Sequence, residues 1–130
     1  MSAAQHVQLF TMAVTMWTAF FAAGLSSNYF MDWPWTARLG LIVVVPTFVL
    51  IGIARRRARS LNAIAAKRRA LWTAFYFTAP FLALDALYLG LHEGLGATFL
   101  ASHWHLTAFY LTPWLAVPLM AQAPKVVASK

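Results

Sequence analysis

The sequence predicts an all-α integral membrane protein, a bundle of four transmembrane helices. Only 10% of the 130 residues are charged, whereas an average soluble domain has about 25%. Hydrophobic residues make up 62% of the chain, and they fall into four apolar runs. Each run is close to the roughly 20 residues that a helix needs to cross a bilayer. So little charge cannot cover a water-soluble surface, so we expect the chain to lie in lipid.

The four predicted spans, which form a single domain, are residues 7–28, 36–53, 72–91 and 99–120. The first span carries Thr11, Thr15 and Thr18 at helical spacing. Small and hydroxyl side chains on one face let two helices approach closely. We therefore interpret this face as a helix-packing seam rather than as the lining of a polar pore.

Prolines interrupt three of the four spans, at Pro46, Pro80, Pro113 and Pro118. Pro46 removes one backbone hydrogen bond in the second span and predicts a kink there. Proline-interrupted helices line binding sites in transporters, but they are also common in inert membrane helices. Four spans of a short chain cannot enclose a large substrate path, so a transporter of this size would have to form an oligomer.

The densest charge in the chain lies between the second and third spans. The seven basic residues there are Arg55, Arg56, Arg57, Arg59, Lys67, Arg68 and Arg69. Together with Lys125 and Lys130 in the tail, they predict that residues 55–69 and both termini are cytoplasmic, because basic residues accumulate on that side of a membrane. Only Arg38 lies at the opposite ends of the spans. The distribution is compatible with a bacterial inner membrane.

The same basic cluster predicts contact with anionic lipid headgroups. Its residues could form a short interfacial helix between the second and third helices. Docking of an acidic protein partner is the alternative. Nucleic acid is not expected as a partner, since membrane topology already accounts for the net charge of +7.

Polar side chains form one stripe on each of the last two spans. The stripe on the third span contains Thr78, Asp85, Tyr88 and His92, and the stripe on the fourth contains His103, Thr107, Tyr110 and Trp114. The turn at residues 94–97 joins the two spans as an antiparallel hairpin, so the stripes can face one another. Asp85 is in the middle of an apolar span, where a carboxylate needs a partner, a proton or a path to water.

Three kinds of chemistry compete for this hairpin. A proton or ion relay would use Asp85, Tyr88, His92 and Tyr110. A metal or haem site would draw on His92, Glu93, His103 and His105. The i and i+2 positions of a helix point about 200° apart, so His103 and His105 can share a metal only if the helix starts after them.

A purely structural interpretation stands against these three. Histidines at a membrane interface can simply face headgroups and water. Asp85 can be protonated, or it can be hydrogen-bonded to Thr, Tyr or Trp side chains of a neighbouring helix.

Several classes of function are excluded or disfavoured by what the sequence lacks. The chain has no cysteine, which excludes disulfides, thiolate metal sites, iron–sulfur clusters and cysteine-attached haem. It has no glycine-rich phosphate loop, no Gly-x-Ser-x-Gly and no His-Glu-x-x-His. Its three acidic residues leave little for acid–base catalysis. The sequence therefore favours a protein that is not an enzyme.

We accordingly expect an accessory or structural subunit of a larger membrane complex, such as a respiratory, photosynthetic or other membrane enzyme. Ten Phe and six Trp residues provide rigid contact area for another membrane subunit, for a second copy of the chain or for a pigment. The alternative is a proton- or ion-coupled transporter, or a metal- or haem-binding membrane subunit. It would use Asp85 and the histidines predicted at the outer ends of the spans, which are His92, His103 and His105.

Overall fold

The computed structural model describes residues 1–24 and 31–121, and within these ranges the regular structure is helical, with turns between the helices and no strand. The helices are α1 (Ala3–Ala22), α2 (Trp35–Ala58), α3 (Ala63–His92), α4 (Phe99–Ser102) and α5 (Trp104–Ala121). The predicted all-α class is confirmed. The end of the predicted first span, residues 25–28, and the tail with Lys125 and Lys130 lie outside the described residues.

Side-chain caps fix where two of the helices begin. Ser2 and Gln5 form a reciprocal capping box at the start of α1, which satisfies backbone N–H groups that have no partner within the helix. The Asn62 side chain accepts a hydrogen bond of 2.9 Å from the backbone N–H of Ala65. This cap starts α3 at Ala63, well before the apolar span predicted from residue 72.

The expectation of a separate interfacial helix between the second and third helices is therefore wrong. Lys67, Arg68 and Arg69 belong to the first turns of α3 instead. Only residues 59–62 separate α2 from α3, because the Asn62 cap and the alanine-rich stretch after it let α3 begin at once.

Regular α-helical hydrogen bonding is interrupted within α2 and α3. The segment Gly40–Val44 of α2 is π-helical, and only Val45 separates it from Pro46, which has no N–H to donate. The kink expected at this proline stays a prediction. The last part of α3, Ala86–His92, is also π-helical, whereas Pro80 lies within regular α-helix.

Helices α2, α3 and α5 pack against one another, and α1 packs against α3. Their shared core includes Leu9 of α1, Leu50 of α2, Phe77 of α3 and Phe109 of α5. Spans adjacent in sequence were expected to be adjacent in space, and this holds for α2 with α3 and for α3 with α5. Helix α1 has its main interface with α3 instead of α2.

Two of the described helices, α2 with 24 residues and α3 with 30, are long and apolar enough to cross a membrane.

Candidate functional site

Asp85 is almost fully buried in α3, at 1% exposure, and hydrogen bonds tie it to two other helices. The indole N–H of Trp17 on α1 donates to Oδ1 at 2.9 Å. The phenolic O–H of Tyr110 on α5 donates to Oδ2 at 2.6 Å. Each carboxylate oxygen thus accepts from a different helix, so this one side chain links α1, α3 and α5.

A second hydrogen bond joins α3 to α5 about two helical turns away. The indole N–H of Trp114 donates to the hydroxyl oxygen of Thr78 at 3.0 Å, while that hydroxyl donates to the backbone oxygen of Ala74 at 2.8 Å. The two polar stripes therefore do face one another at these two levels. Both contacts pair an aromatic donor on α5 with an acceptor on α3.

The candidate relay set is only partly brought together. Tyr110 contacts Asp85 directly, whereas Tyr88 and His92 stack on one another at 5.5 Å between ring centroids. The His92 side chain is 74% exposed and lies 3.9 Å from Glu93. Of the candidate relay set, Tyr110 therefore bonds to Asp85, whereas the His92 side chain lies on the surface of the bundle.

The candidate metal ligands separate into an exposed pair and a buried pair. His92 and Glu93 are exposed, but His103 is 1% exposed and His105 is fully buried. Within residues 1–24 and 31–121, no group of three His, Asp or Glu side chains could hold a metal ion. The described residues therefore do not group His92 with His103 and His105, and a metal or haem role for these histidines stays a prediction.

A break between α4 and α5 explains how both His103 and His105 become buried. His103 has φ −108° and ψ 50°, outside helical values, and α5 begins at the next residue. The sequence required the helix to start after both histidines if they were to share a metal. It breaks at the first of them instead, and the two ring centroids are 5.9 Å apart.

The Arg38 side chain packs against Trp104, the residue between His103 and His105. Its guanidinium carbon lies 5.6 Å from the centre of the Trp104 ring, and its Nη1 donates to Met31 Sδ at 3.8 Å. A cation over the face of an indole is stabilised by the ring quadrupole. Arg38 is half-buried beside this ring.

Three of the seven basic residues at the other end bind neighbouring helix ends. Arg55 Nε donates to the backbone oxygen of Met120 at 2.7 Å, close to the end of α5. Arg57 bonds to Gln8, and Arg69 Nη2 donates to Gln5 Oε1 at 3.4 Å. The other four, which are Arg56, Arg59, Lys67 and Arg68, are exposed. The cluster therefore also fastens α1 and α5 to the α2–α3 turn.

Two contributors to this architecture were missed from the sequence. Trp17 was treated as part of an apolar span, although a tryptophan there carries an N–H that needs an acceptor. Ser102 was not singled out, yet its hydroxyl oxygen lies 3.0 Å from Nδ1 of His103. In both cases the available signal was a polar atom inside an apolar stretch.

Comparisons with protein-family models, with curated proteins and with solved structures find no match to this chain.

Proposed function

We propose that this chain is a small multi-pass membrane protein that acts as an accessory or structural subunit of a larger membrane complex. In this proposal α1, α2, α3 and the hairpin helix α5 each cross the bilayer, and both termini are cytoplasmic. The single observation that carries it is that large apolar side chains cover the outside of the bundle, while Thr78, Asp85 and other polar side chains are buried within its apolar core.

The outer faces of the helices are covered by large aliphatic and aromatic side chains. On α5, Leu111, Leu115 and Leu119 recur every four residues, and the last two are 71% and 75% exposed. On α2, Val45 and Phe48 are exposed, although Thr47 between them is buried. Large apolar areas on a soluble protein mark an interaction surface, and here they surround the bundle, as contact with lipid requires.

The polar side chains in the same bundle are buried and paired across helices. Asp85 and Tyr110 are bonded to one another, as are Thr78 and Trp114. In a bilayer, polar side chains face the bundle interior and bond across helices, because lipid offers them no partner. This supports a membrane environment for α3 and α5 together.

The distribution of charge supports the orientation. The turn at 59–62 is flanked by Arg57 on one side and Lys67 on the other, while Arg38 lies near the opposite end of α2. The positive-inside bias places the 55–69 region in the cytoplasm. The compartment we propose is a bacterial inner membrane, with anionic headgroups beside the exposed members of the basic cluster.

A groove between α1 and α2 is the surface that we propose for another subunit. It has a volume of about 590 Å³ and is lined by Thr11 and Thr15 of α1 and by Val49 and Ile53 of α2. Thr11, Thr15 and Thr18 of α1 are exposed, so no helix among the described residues covers the predicted packing seam. Small side chains beside branched ones suit the close approach of a partner's transmembrane helix.

A proton or ion relay through Asp85 is the less favoured function. Both carboxylate oxygens accept hydrogen bonds from rigid aromatic donors on other helices, which is the arrangement of a structural tie. We expect Asp85→Asn and the wild type to give equal proton flux in liposomes. A flux that is present in the wild type and absent in Asp85→Asn would replace the structural role with a relay.

Site-specific photo-crosslinking in the native membrane tests the subunit proposal. A crosslinking amino acid at Thr15, in the groove, should give one discrete adduct with another membrane protein. The same residue at Leu115, on the lipid-facing side of α5, serves as the matched control and should give none. Mild-detergent recovery of the chain alone, as a monodisperse species without a Thr15 adduct, would contradict the proposal.

A further inference from the structure

The pair His103 and His105 is the least satisfied polar feature in the described part of the bundle. His103 Nε2 and both ring nitrogens of His105 are buried and have no hydrogen-bond partner among the described residues. A buried polar atom without a partner has lost its hydration and gains no hydrogen bond in return, which is unfavourable. Three such atoms on two adjacent rings indicate that something other than the protein satisfies them.

The contacts of Ser102 define which nitrogen of His103 can bind a ligand. The Ser102 hydroxyl oxygen lies 3.0 Å from Nδ1 of His103, and the hydroxyl is also 3.3 Å from the backbone oxygen of Thr98, to which it can donate. With its proton given to Thr98, Ser102 can accept from His103 in the tautomer that carries the proton on Nδ1. A neutral imidazole with its proton on Nδ1 has a lone pair on Nε2, and a hydrogen bond of this kind is how proteins orient histidine ligands to metals.

We propose that His103 and His105 together bind one monovalent copper ion. The ring centroids are 5.9 Å apart. Two metal-to-nitrogen bonds of about 2 Å each, added to the short distance from each ring centre to its nitrogen, give a total close to that separation. Coordination by only two neutral donors is characteristic of Cu(I), and imidazole is a suitable ligand for copper.

The number of ligands distinguishes Cu(I) from the other metals that histidine binds. Zinc takes four ligands in structural sites and three protein ligands in catalytic sites, but no third His, Asp or Glu completes a site in the described residues.

The chain geometry excludes a haem between these two rings. His103 and His105 are separated only by Trp104, so the backbone that connects them would pass through the plane of a porphyrin. A single ion needs no such space. The proposal therefore narrows the metal or haem expectation for the outer histidines to one small ion at a buried pair.

Titration of the purified full chain with Cu(I), under anaerobic reducing conditions and against a competing chelator, tests this site. We expect one Cu(I) per chain and an X-ray absorption spectrum of two nitrogen ligands. His105→Gln and His103→Gln should each weaken binding by at least about 100-fold. His92→Gln, which changes an exposed histidine, should stay within about twofold of the wild type.

Two further measurements separate loss of the site from loss of the fold. His105→Met keeps a soft ligand for Cu(I) and should retain binding with one sulfur in place of one nitrogen. Circular dichroism should show unchanged helix content in every variant. Absence of stoichiometric Cu(I), equal weakening by His92→Gln, or tighter binding of Zn²⁺ than of Cu(I) would overturn the proposal. None of these outcomes bears on the four crossings or on the subunit role.

Discussion

Tyr110 and Asp85 are joined by a hydrogen bond of 2.6 Å that connects α5 to α3 inside the bundle. Trp17 donates to the other oxygen of the same carboxylate from α1. A carboxyl group whose two oxygens accept hydrogen bonds from two other helices stabilises the relative positions of those helices. Asp85 of α3 thereby joins α1 and α5 to its own helix through one side chain.

Removal of the buried carboxylate should destabilise the bundle. Asp85→Ala leaves the N–H of Trp17 and the O–H of Tyr110 without this acceptor, and we expect the free energy of unfolding to fall by about 3 kcal/mol. Unfolding in mixed detergent micelles, followed by circular dichroism, measures this change. The exposed Asp32 is the control, and Asp32→Ala should change stability by less than about 0.5 kcal/mol. Equal effects of the two variants would contradict the structural role.

The Asp85–Tyr110 contact should appear as a coupling energy. In a double-mutant cycle of Asp85→Asn with Tyr110→Phe, we expect the two changes to be non-additive by about 1 kcal/mol or more. Trp114→Phe removes a donor to Thr78 rather than to Asp85, so its cycle with Asp85→Asn should be additive within about 0.5 kcal/mol. Additivity in the Tyr110 cycle would mean that the two side chains are not bonded in the folded protein.

The turn between α3 and α4 should depend on glycine at position 94. Gly94 has φ +70°, a conformation that costs an L-residue about 1–2 kcal/mol. Gly94→Ala should therefore lower the melting temperature in detergent. Gly52 lies within α2, and a methyl group on its Cα would have no atom within 4 Å, so Gly52→Ala should be neutral or stabilising. Similar melting temperatures for Gly94→Ala and the wild type would show that the turn adopts another conformation.

Two neighbouring arginines should differ in their effect on stability. Arg55 donates to the backbone oxygen of Met120, near the end of α5, where helix carbonyls carry partial negative charge. Arg55→Gln should cost about 1–2 kcal/mol of unfolding free energy. Arg56 is exposed, and Arg56→Gln should cost less than about 0.5 kcal/mol. A larger loss of unfolding free energy in Arg56→Gln than in Arg55→Gln would mean that Arg56, and not Arg55, makes the stabilising contact.

Ser102 should tune copper affinity without acting as a ligand. Ser102→Ala removes the acceptor that orients His103, so binding of Cu(I) should weaken by about 10-fold. Two nitrogen ligands should remain in the X-ray absorption spectrum. Ala101→Ser changes an exposed neighbour and should leave the affinity unaltered. Loss of one nitrogen ligand in Ser102→Ala would mean that Ser102 does more than position the ring.

Periodicity and charge scarcity were sufficient to predict the helices and the two facing stripes on α3 and α5. Helical spacing places Asp85 with Thr78, and Tyr110 with Trp114, on single faces, and a short turn brings those faces together. The sequence could not reveal that Asn62 would cap α3 early, since a strong charge cluster around it resembled an interfacial segment. Local capping energy prevailed over the amphipathic pattern there.

The location of α1 and the burial of the outer histidines were beyond the sequence for a different reason. Short connections suggested that α1 would lie beside α2, but the acceptor for the Trp17 N–H is Asp85 on α3. Likewise, His103 and His105 become neighbours only because the backbone leaves helical values at His103. Contacts between distant segments and single-residue breaks depend on packing that no local pattern encodes.

Cysteine accessibility tests the four crossings most directly, because the chain contains no native cysteine. Single cysteines are introduced at Ala4, Ser60 and Ala97, and intact cells are treated with a membrane-impermeant maleimide before and after permeabilisation. Four crossings predict that Ala97→Cys is labelled in intact cells, whereas Ala4→Cys and Ser60→Cys are labelled only after permeabilisation. Labelling of Ala4→Cys in intact cells would remove α1 from the crossings, and labelling of Ser60→Cys would contradict the orientation itself.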